Sequence, residues 1–319
     1  MILVLRALGV GDLATAVPAL RGLRAAYPGE VLALAAPAWL APLVRLVGGV
    51  DRLLPVPGLG VRRLPGRAPR IAVNLHGRGP QSHRLLAAAA PGRLLAFASA
   101  PAGHLDGPAW RADEHEVHRW CRLLAHYGIA ADPGDLALRP PPGGGPAGVT
   151  VLHPGAKAPQ RRWPPERFAA VGRALAGAGH RVVVTGSAGE RPLAQRVARL
   201  AGLPEAAVLA GRTDVGGLAA LVARARLVVS GDTGVAHLAT GYGTPSVTLF
   251  AGISPALWGP PADRPWHRAI WHGAGVGDAA VAGPTAPHPA LLSVSVDEVL
   301  AAVADATRAA ADRGAVAAR

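Results

Sequence analysis

The sequence predicts an α/β fold built from two parallel-sheet halves facing across a cleft. Three observations carry this. Short apolar runs alternate with helical stretches along most of the 319 residues, the pattern of strands buried on both faces with crossover helices between them. A Pro/Gly-dense segment, RPPPGGGPAG at 139–148, interrupts that alternation and admits neither helix nor strand. Beyond it the alternation restarts, and apolar runs in both halves end in glycine-containing turns, the edge where parallel sheets bind their ligands. The expected halves are 1–142 and 143–319, with the last helix returning to pack on the first half.

In order, Met1 to Leu5 reads as a buried strand and Leu13 to Ala26 as a helix, ended by Tyr27-Pro28-Gly29. Val31 to Ala35 is a second strand, Pro37 to Leu46 a short helix, and Arg70 to Leu75 a third strand running into the helix of HGRGPQSHRLLAAA. Glu114 to Tyr127 has amphipathic helical spacing. In the second half, strands are expected at Val149 to Leu152, Arg181 to Thr185, Leu227 to Ser230 and Ser246 to Phe250. Helices are expected at Pro165 to Ala178, Glu190 to Ala201, Leu218 to Ala225 and Val235 to Gly241. The Gly/Pro-rich stretch 271–289 reads as a loop without an assigned role.

Half of the residues are apolar and 17% are charged, which suits a folded rather than a disordered chain. The net charge is +13. Its arginines are scattered and aromatic residues make up 4%, too few for a base-stacking platform, so nucleic acid is not the expected partner. An anionic small substrate or an anionic membrane surface is. One cysteine, Cys121, excludes an internal disulfide framework and fits a reducing compartment. No signal peptide or membrane span is expected: the chain opens directly on a strand, and the longest uncharged apolar run, Val31 to Val44, carries two prolines and is too short to span. A cytoplasmic protein, peripheral to a membrane at most, is the expectation.

The strongest chemical signal is RLVVSGDTGVAHLATGYGTPSVTLFAGISPALWGPP at 226–261. A strand runs into Gly231-Asp232-Thr233-Gly234 and then a helix, so free backbone N–H groups make an anion site there. Asp232 either caps that helix or accepts hydrogen bonds from a sugar or ribose hydroxyl. His237, one turn in, faces the same ligand or is a satisfied core histidine. The loop HPGAKAPQRRWP at 153–164 leaves another strand end; Gly155 permits close backbone approach, while Lys157 (the only lysine), Arg161 and Arg162 supply cations for phosphate. VVVTGSAGE at 182–190 adds a third such turn, at Gly186.

In the first turn of the chain, Gly9, Gly11 and Ala14 fit the G-x-G-x-x-A dinucleotide fingerprint. Asp12 inside the turn would repel a pyrophosphate, and the second strand, VLALAAP, ends without the acidic residue a ribose needs. The loop therefore presents a carboxylate. Asp12 stands where a general base would, or else caps a helix starting near Leu13. His115, Glu116 and His118 in HEVH have the wrong spacing for the zinc helix and are read as surface residues; no metal site is expected.

These stretches together resemble the heptosyltransferases, glycosyltransferase family 9, whose GT-B fold pairs two Rossmann-like domains. The resemblance covers nearly the whole chain. It is carried by ILVLRALGVGDLATAVPALRGLRAAYP, VNLHGRGPQS at 73–82, HPGAKAPQRRWPPERF and SGDTGVAHLATGYGTPSVTLFAGISPALWGP. It implies metal-independent, cofactor-free transfer of a heptose-like sugar from a nucleotide diphosphate donor, ADP-heptose being the best-known, to a glycan or other hydroxyl acceptor. The catalytic aspartate falls on Asp12 and makes the displacement inverting. The donor falls on the second half, at Gly155, Lys157, Arg161, Arg162, Gly186, Asp232, Thr233, Gly234 and His237. The acceptor falls on the first, at Gly11, His76, Gly77 and Ser82. Two positions depart from the pattern: Arg161 replaces the usual lysine, and Asn74 stands where an aspartate is common. A nucleotide-sugar epimerase, a phosphorylase of the same fold, a non-catalytic nucleotide-sugar binding module and an NAD-dependent oxidoreductase are the competing readings.

Overall fold

A computed structural model describes residues 1–142, 146–273 and 286–317. The chain divides into two units, Met1–Arg139 and Pro140–Arg319. Neither helix nor strand occurs in the described residues of 139–148 that precede Val149; 143–145 of that segment, and 274–285 of the stretch read as a loop at 271–289, lie outside the described residues.

The first unit contains β1 (Ile2–Leu5), α1 (Val10–Thr15), α2 (Val17–Ala26), β2 (Leu32–Ala36), α3 (Ala41–Val47), β3 (Arg52–Pro55), β4 (Ile71–Asn74), α4 (Gln81–Ala87), β5 (Arg93–Leu95) and α5 (Glu116–His126). Its sheet is parallel with order β3-β2-β1-β4-β5. The central strands β1, β2 and β4 are buried along their whole length, which is why they read as unbroken apolar runs. The outer strands were not anticipated. β3 (RLLP) is exposed or half-buried and β5 (RLL) spans three residues, because an edge strand needs no apolar residue on its open side.

The helix expected at Leu13 to Ala26 is two helices. The first starts three residues earlier, at Val10, and ends at Thr15; Pro18 occupies the second position of the next, where its missing N–H breaks no helical hydrogen bond. Asp12 thus lies inside a helix rather than in front of one.

The second unit contains β6 (Thr150–His153), α6 (Pro165–Gly177), β7 (Val182–Val184), α7 (Arg191–Ala201), α8 (Val215–Ala223), β8 (Leu227–Gly231), α9 (Gly234–Tyr242), β9 (Ser246–Phe250), α10 (Pro255–Trp258), β10 (His267–Trp271), α11 (Pro289–Ser293) and α12 (Val296–Ala317). Its sheet is parallel too, ordered β10-β9-β8-β6-β7. The core gathers Leu152, Trp163, Phe168, Val229, Leu249 and Leu291 between sheet and helices. α12 lies against α6, β9 and β10.

In each sheet the chain order reverses once, between β1 and β4 in the first and between β6 and β8 in the second. Ligands bind parallel sheets outside the strand carboxyl ends at such switch points. The loops leaving β1, β4, β6 and β8 are therefore the ones that matter.

At the opposite edge of the second sheet, His267 is buried, with Nδ1 2.9 Å from Ser246 Oγ and Nε2 without a hydrogen-bond partner. Burial, with Arg264 and Arg313 nearby, pushes its pKa down to about 3, so it folds neutral. Stability is then complete above the unfolded pKa near 6.5 and falls as the pH drops below it. Between pH 7 and pH 5 this one residue should cost about 2 kcal/mol. Urea unfolding should show a shallower acid slope in His267→Asn than in the parent; identical slopes would exclude His267 as the source.

Candidate active site

The first cluster forms where β1 and β4 end. Gly9 precedes α1, and Asp12, third in that helix, turns its side chain back so that Oδ2 accepts the Gly9 N–H at 3.0 Å. This is the reciprocal half of a capping box, and it fixes one carboxylate oxygen while the side chain stays 29% exposed. Asp12 both supports the helix start and presents a carboxylate.

Beneath it lies Arg6, with no exposed side-chain surface. Its Nε donates to the Asp12 carbonyl at 2.5 Å, Nη1 to the Leu75 carbonyl, and Nη2 to Thr15 Oγ1 at 3.1 Å and Glu116 Oε1 at 3.0 Å. Its guanidinium stacks 4.7 Å over the Trp120 ring. Glu116 also accepts from Trp120 Nε1 at 3.0 Å and from Arg119. Glu116 was read as a surface residue; it is 5% exposed, on the inner face of α5, and the reading is corrected. His118 is exposed, and His115 caps α5 by accepting the Val117 N–H at 3.2 Å.

His76 Nδ1 accepts the Ala7 N–H at 3.2 Å, which places the proton of the neutral ring on Nε2. Burial, and then Arg6, lower its pKa against the opposing pull of Asp12, so the ring is neutral at pH 7. Asn74 is fully buried: its Nδ2 reaches Gly77 O at 3.2 Å, Ser82 Oγ at 2.9 Å and His83 Nδ1 at 3.0 Å, and its Oδ1 accepts the His76 N–H at 3.1 Å. Asn74 and Ser82 therefore shape the loop from below. Gly77 has open space at its Cα, and Gly11 is the second residue of α1.

The second cluster forms where β6, β7 and β8 end. Asp232 follows β8 and is 8% exposed; Thr233 is the residue that precedes α9, and Gly234 is its first. Asp232 does not cap the helix. Its carboxylate pairs with Arg161, which also donates to the Asp232 carbonyl at 2.9 Å, and its other oxygen lies 3.8 Å from His237 Nε2. The first N–H groups of α9 have no partner within the helix. Thr233 Oγ1 and Ser230 Oγ are buried without hydrogen-bond partners, a cost that a ligand can relieve.

The cations of the 153–164 loop divide. Arg161 faces Asp232 and is 39% exposed; Lys157 is exposed; Arg162 is spent on its own loop, holding the Ala156 carbonyl with Nε at 2.9 Å and Nη2 at 2.7 Å. Gly155 and Gly186 flank Glu190: a Cβ on Gly155 would come within 2.3 Å of Glu190 Oε1, and one on Gly186 within 3.2 Å of Glu190 Cβ. Burial alone would raise the Glu190 carboxyl, yet hydrogen bonds from Ser187 N–H and Oγ, with His153 and Arg162 nearby, hold it low. Sequence reasoning missed Glu190, although Ser187-x-x-Glu190 is a capping-box spacing.

Residues 109–271, just over half the chain, match the sequence profile of glycosyltransferase family 9 (heptosyltransferase). Lipooligosaccharide heptosyltransferase 2 of Haemophilus influenzae is 31% identical over 117 residues, 35% of this chain and 33% of that protein. Lipopolysaccharide heptosyltransferase 2 of Escherichia coli is 24% identical over 94% of this chain and 96% of its own. Among solved structures, E. coli ADP-heptose LPS heptosyltransferase II superposes with a TM-score of 0.75 at 22% identity, covering 96% of this chain and 98% of that one; at that identity the likeness speaks for the fold, GT-B. With the profile matched over the segment that holds Glu116, Arg161, Asp232 and His237, the chain belongs to glycosyltransferase family 9, the heptosyltransferases, and is a glycosyltransferase.

Proposed function

We propose that this enzyme moves a heptose from ADP-heptose to an acceptor hydroxyl by a single inverting displacement, with Asp12 as general base. The observation that carries the donor half is the amino end of α9, where Thr233 Oγ1, buried without a partner, directly follows the Asp232 that Arg161 pairs with. A diphosphate would take the α9 N–H groups and Thr233 Oγ1, with Arg161 aimed at it by Asp232. The name of the E. coli structural relative supplies ADP-heptose as the donor class.

On the other unit, Asp12 Oδ2 is held by Gly9 N–H while Oδ1 has only a distant Arg6 contact at 3.7 Å. Oδ1 is the oxygen left for a proton. The acceptor oxygen attacks the anomeric carbon as its proton passes to Asp12, the bond from that carbon to the diphosphate oxygen breaks, and ADP leaves with the charge stabilised by α9 and Arg161. His76 Nε2–H, neutral by burial, offers a hydrogen bond to the acceptor. The acceptor is a glycan hydroxyl, reached from the cytoplasm, and the +13 charge favours approach to an anionic membrane surface. Among the described residues no helix is long and apolar enough to cross one.

The chemical role is tested by Asp12→Asn, which keeps an oxygen for Gly9 N–H but cannot take a proton. Melting temperature and ADP affinity should hold while ADP release from ADP-heptose falls roughly 10²-fold or more; an unchanged rate would remove Asp12 as base. The donor site is tested by calorimetric titration. Arg161→Ala should weaken ADP binding by roughly 10- to 100-fold and leave adenosine binding alone, whereas equal losses for both ligands would place Arg161 outside the diphosphate site.

A further inference from the structure

The buried charges behind Asp12 form a chain of alternating sign: Arg119, Glu116, Arg6 and Asp12. They sum to zero. Within it the contacts of Arg6 are unequal. Nη2 is 3.0 Å from Glu116 Oε1 but 3.7 Å from Asp12 Oδ1, and the tight bond to Asp12, 2.5 Å from Nε, goes to the main-chain carbonyl. Arg6 thus anchors the backbone of Asp12 and leaves its carboxylate nearly alone. A carboxylate locked against an arginine is a weak base, so this inequality has a chemical consequence.

We propose that Glu116 is a positioning residue for Asp12: it holds the Arg6 guanidinium away from the Asp12 carboxylate, so that Oδ1 stays open to a proton from the acceptor. The proposal rests on Asp12 being the base. Three elements besides α1 supply what faces that carboxylate: Arg6 from the end of β1, His76 from the loop after β4, and Glu116 with its second partner Arg119 from α5. Trp120 fixes the geometry from both sides, its ring under Arg6 and its Nε1 on the Glu116 oxygen that Arg6 shares. With Glu116 neutral, Arg6 keeps its charge but loses its counterion, and the nearest remaining carboxylate is Asp12.

The test uses the full chain labelled with 13C at aspartate carboxyls, the Asp12 signal being the one lost in Asp12→Asn. In Glu116→Gln the Asp12 signal should titrate roughly one pH unit lower than in the parent. ADP release from ADP-heptose should slow about 10-fold, its acid limb moving to lower pH, while the dissociation constant for ADP is unchanged. Should the Gln side chain not fold against Arg119, Glu116→Asp keeps the charge and withdraws it by one methylene; the same shifts should then appear at smaller size. An Asp12 titration and pH profile that superimpose on the parent's, with only the melting temperature altered, would overturn the proposal. If the Asp12 signal shifts but Asp12→Asn still releases ADP at the parental rate, the coupling stands and the reading of Asp12 as base fails instead.

Discussion

A guanidinium with no exposed surface must find its hydrogen-bond acceptors without water, and Arg6 does so with four hydrogen bonds that tie three parts of the first unit to the end of β1. Its partners are α1 through Asp12 O and Thr15 Oγ1, the exit of β4 through Leu75 O, and α5 through Glu116 and Trp120. The carboxyl edge of this sheet is therefore fixed by a polar network rather than by apolar packing, and the network cannot relax at one member without exposing another to an uncompensated charge.

The second unit uses the same pair of residue types in the opposite sense. In the first, the arginine is buried and the aspartate is 29% exposed; in the second, Asp232 is 8% exposed and Arg161 39%. Which partner is buried decides which is offered to a ligand. In the proposed reaction the first arrangement would present a proton acceptor and the second an anion binder. A transfer reaction needs both, one to raise the nucleophilicity of a hydroxyl and one to receive the charge of the departing diphosphate. Arg162, beside Arg161 in sequence, is taken up by the Ala156 carbonyl, so adjacency in sequence did not mean a shared role.

The central strands, the turn at Gly231-Asp232-Thr233-Gly234 and the carboxylate of Asp12 were legible because each depends on neighbours within a few residues. Apolar runs such as ILVL and SVTLF announce buried parallel strands, and a strand–glycine–helix junction announces an anion site. What could not be read depends on long-range pairing or on edges. Glu116 meets Arg6 across 110 positions, and nothing near it in HEVH separates a buried acid from a surface one; an arginine closing an otherwise apolar strand was the available hint. The outer strands β3 and β5 are short or half-exposed and β10 (HRAIW) alternates poorly, so periodicity was silent. Asn74 stands where an aspartate is common and is buried beneath its loop, where its amide, unlike an ionised aspartate, both donates to Gly77 O and accepts from His76 N–H.

The central claim is that one carboxylate acts as a base, not as a nucleophile. Glu116, the other acid in the cluster, is committed to Arg6, Arg119 and Trp120, which leaves Asp12 as the carboxylate on which the proposal turns. The anomeric configuration of the product decides this. Proton NMR of the sugar transferred from ADP-heptose, read before any free sugar re-equilibrates, should show a configuration inverted relative to the donor. Retention of the donor's configuration would contradict the account.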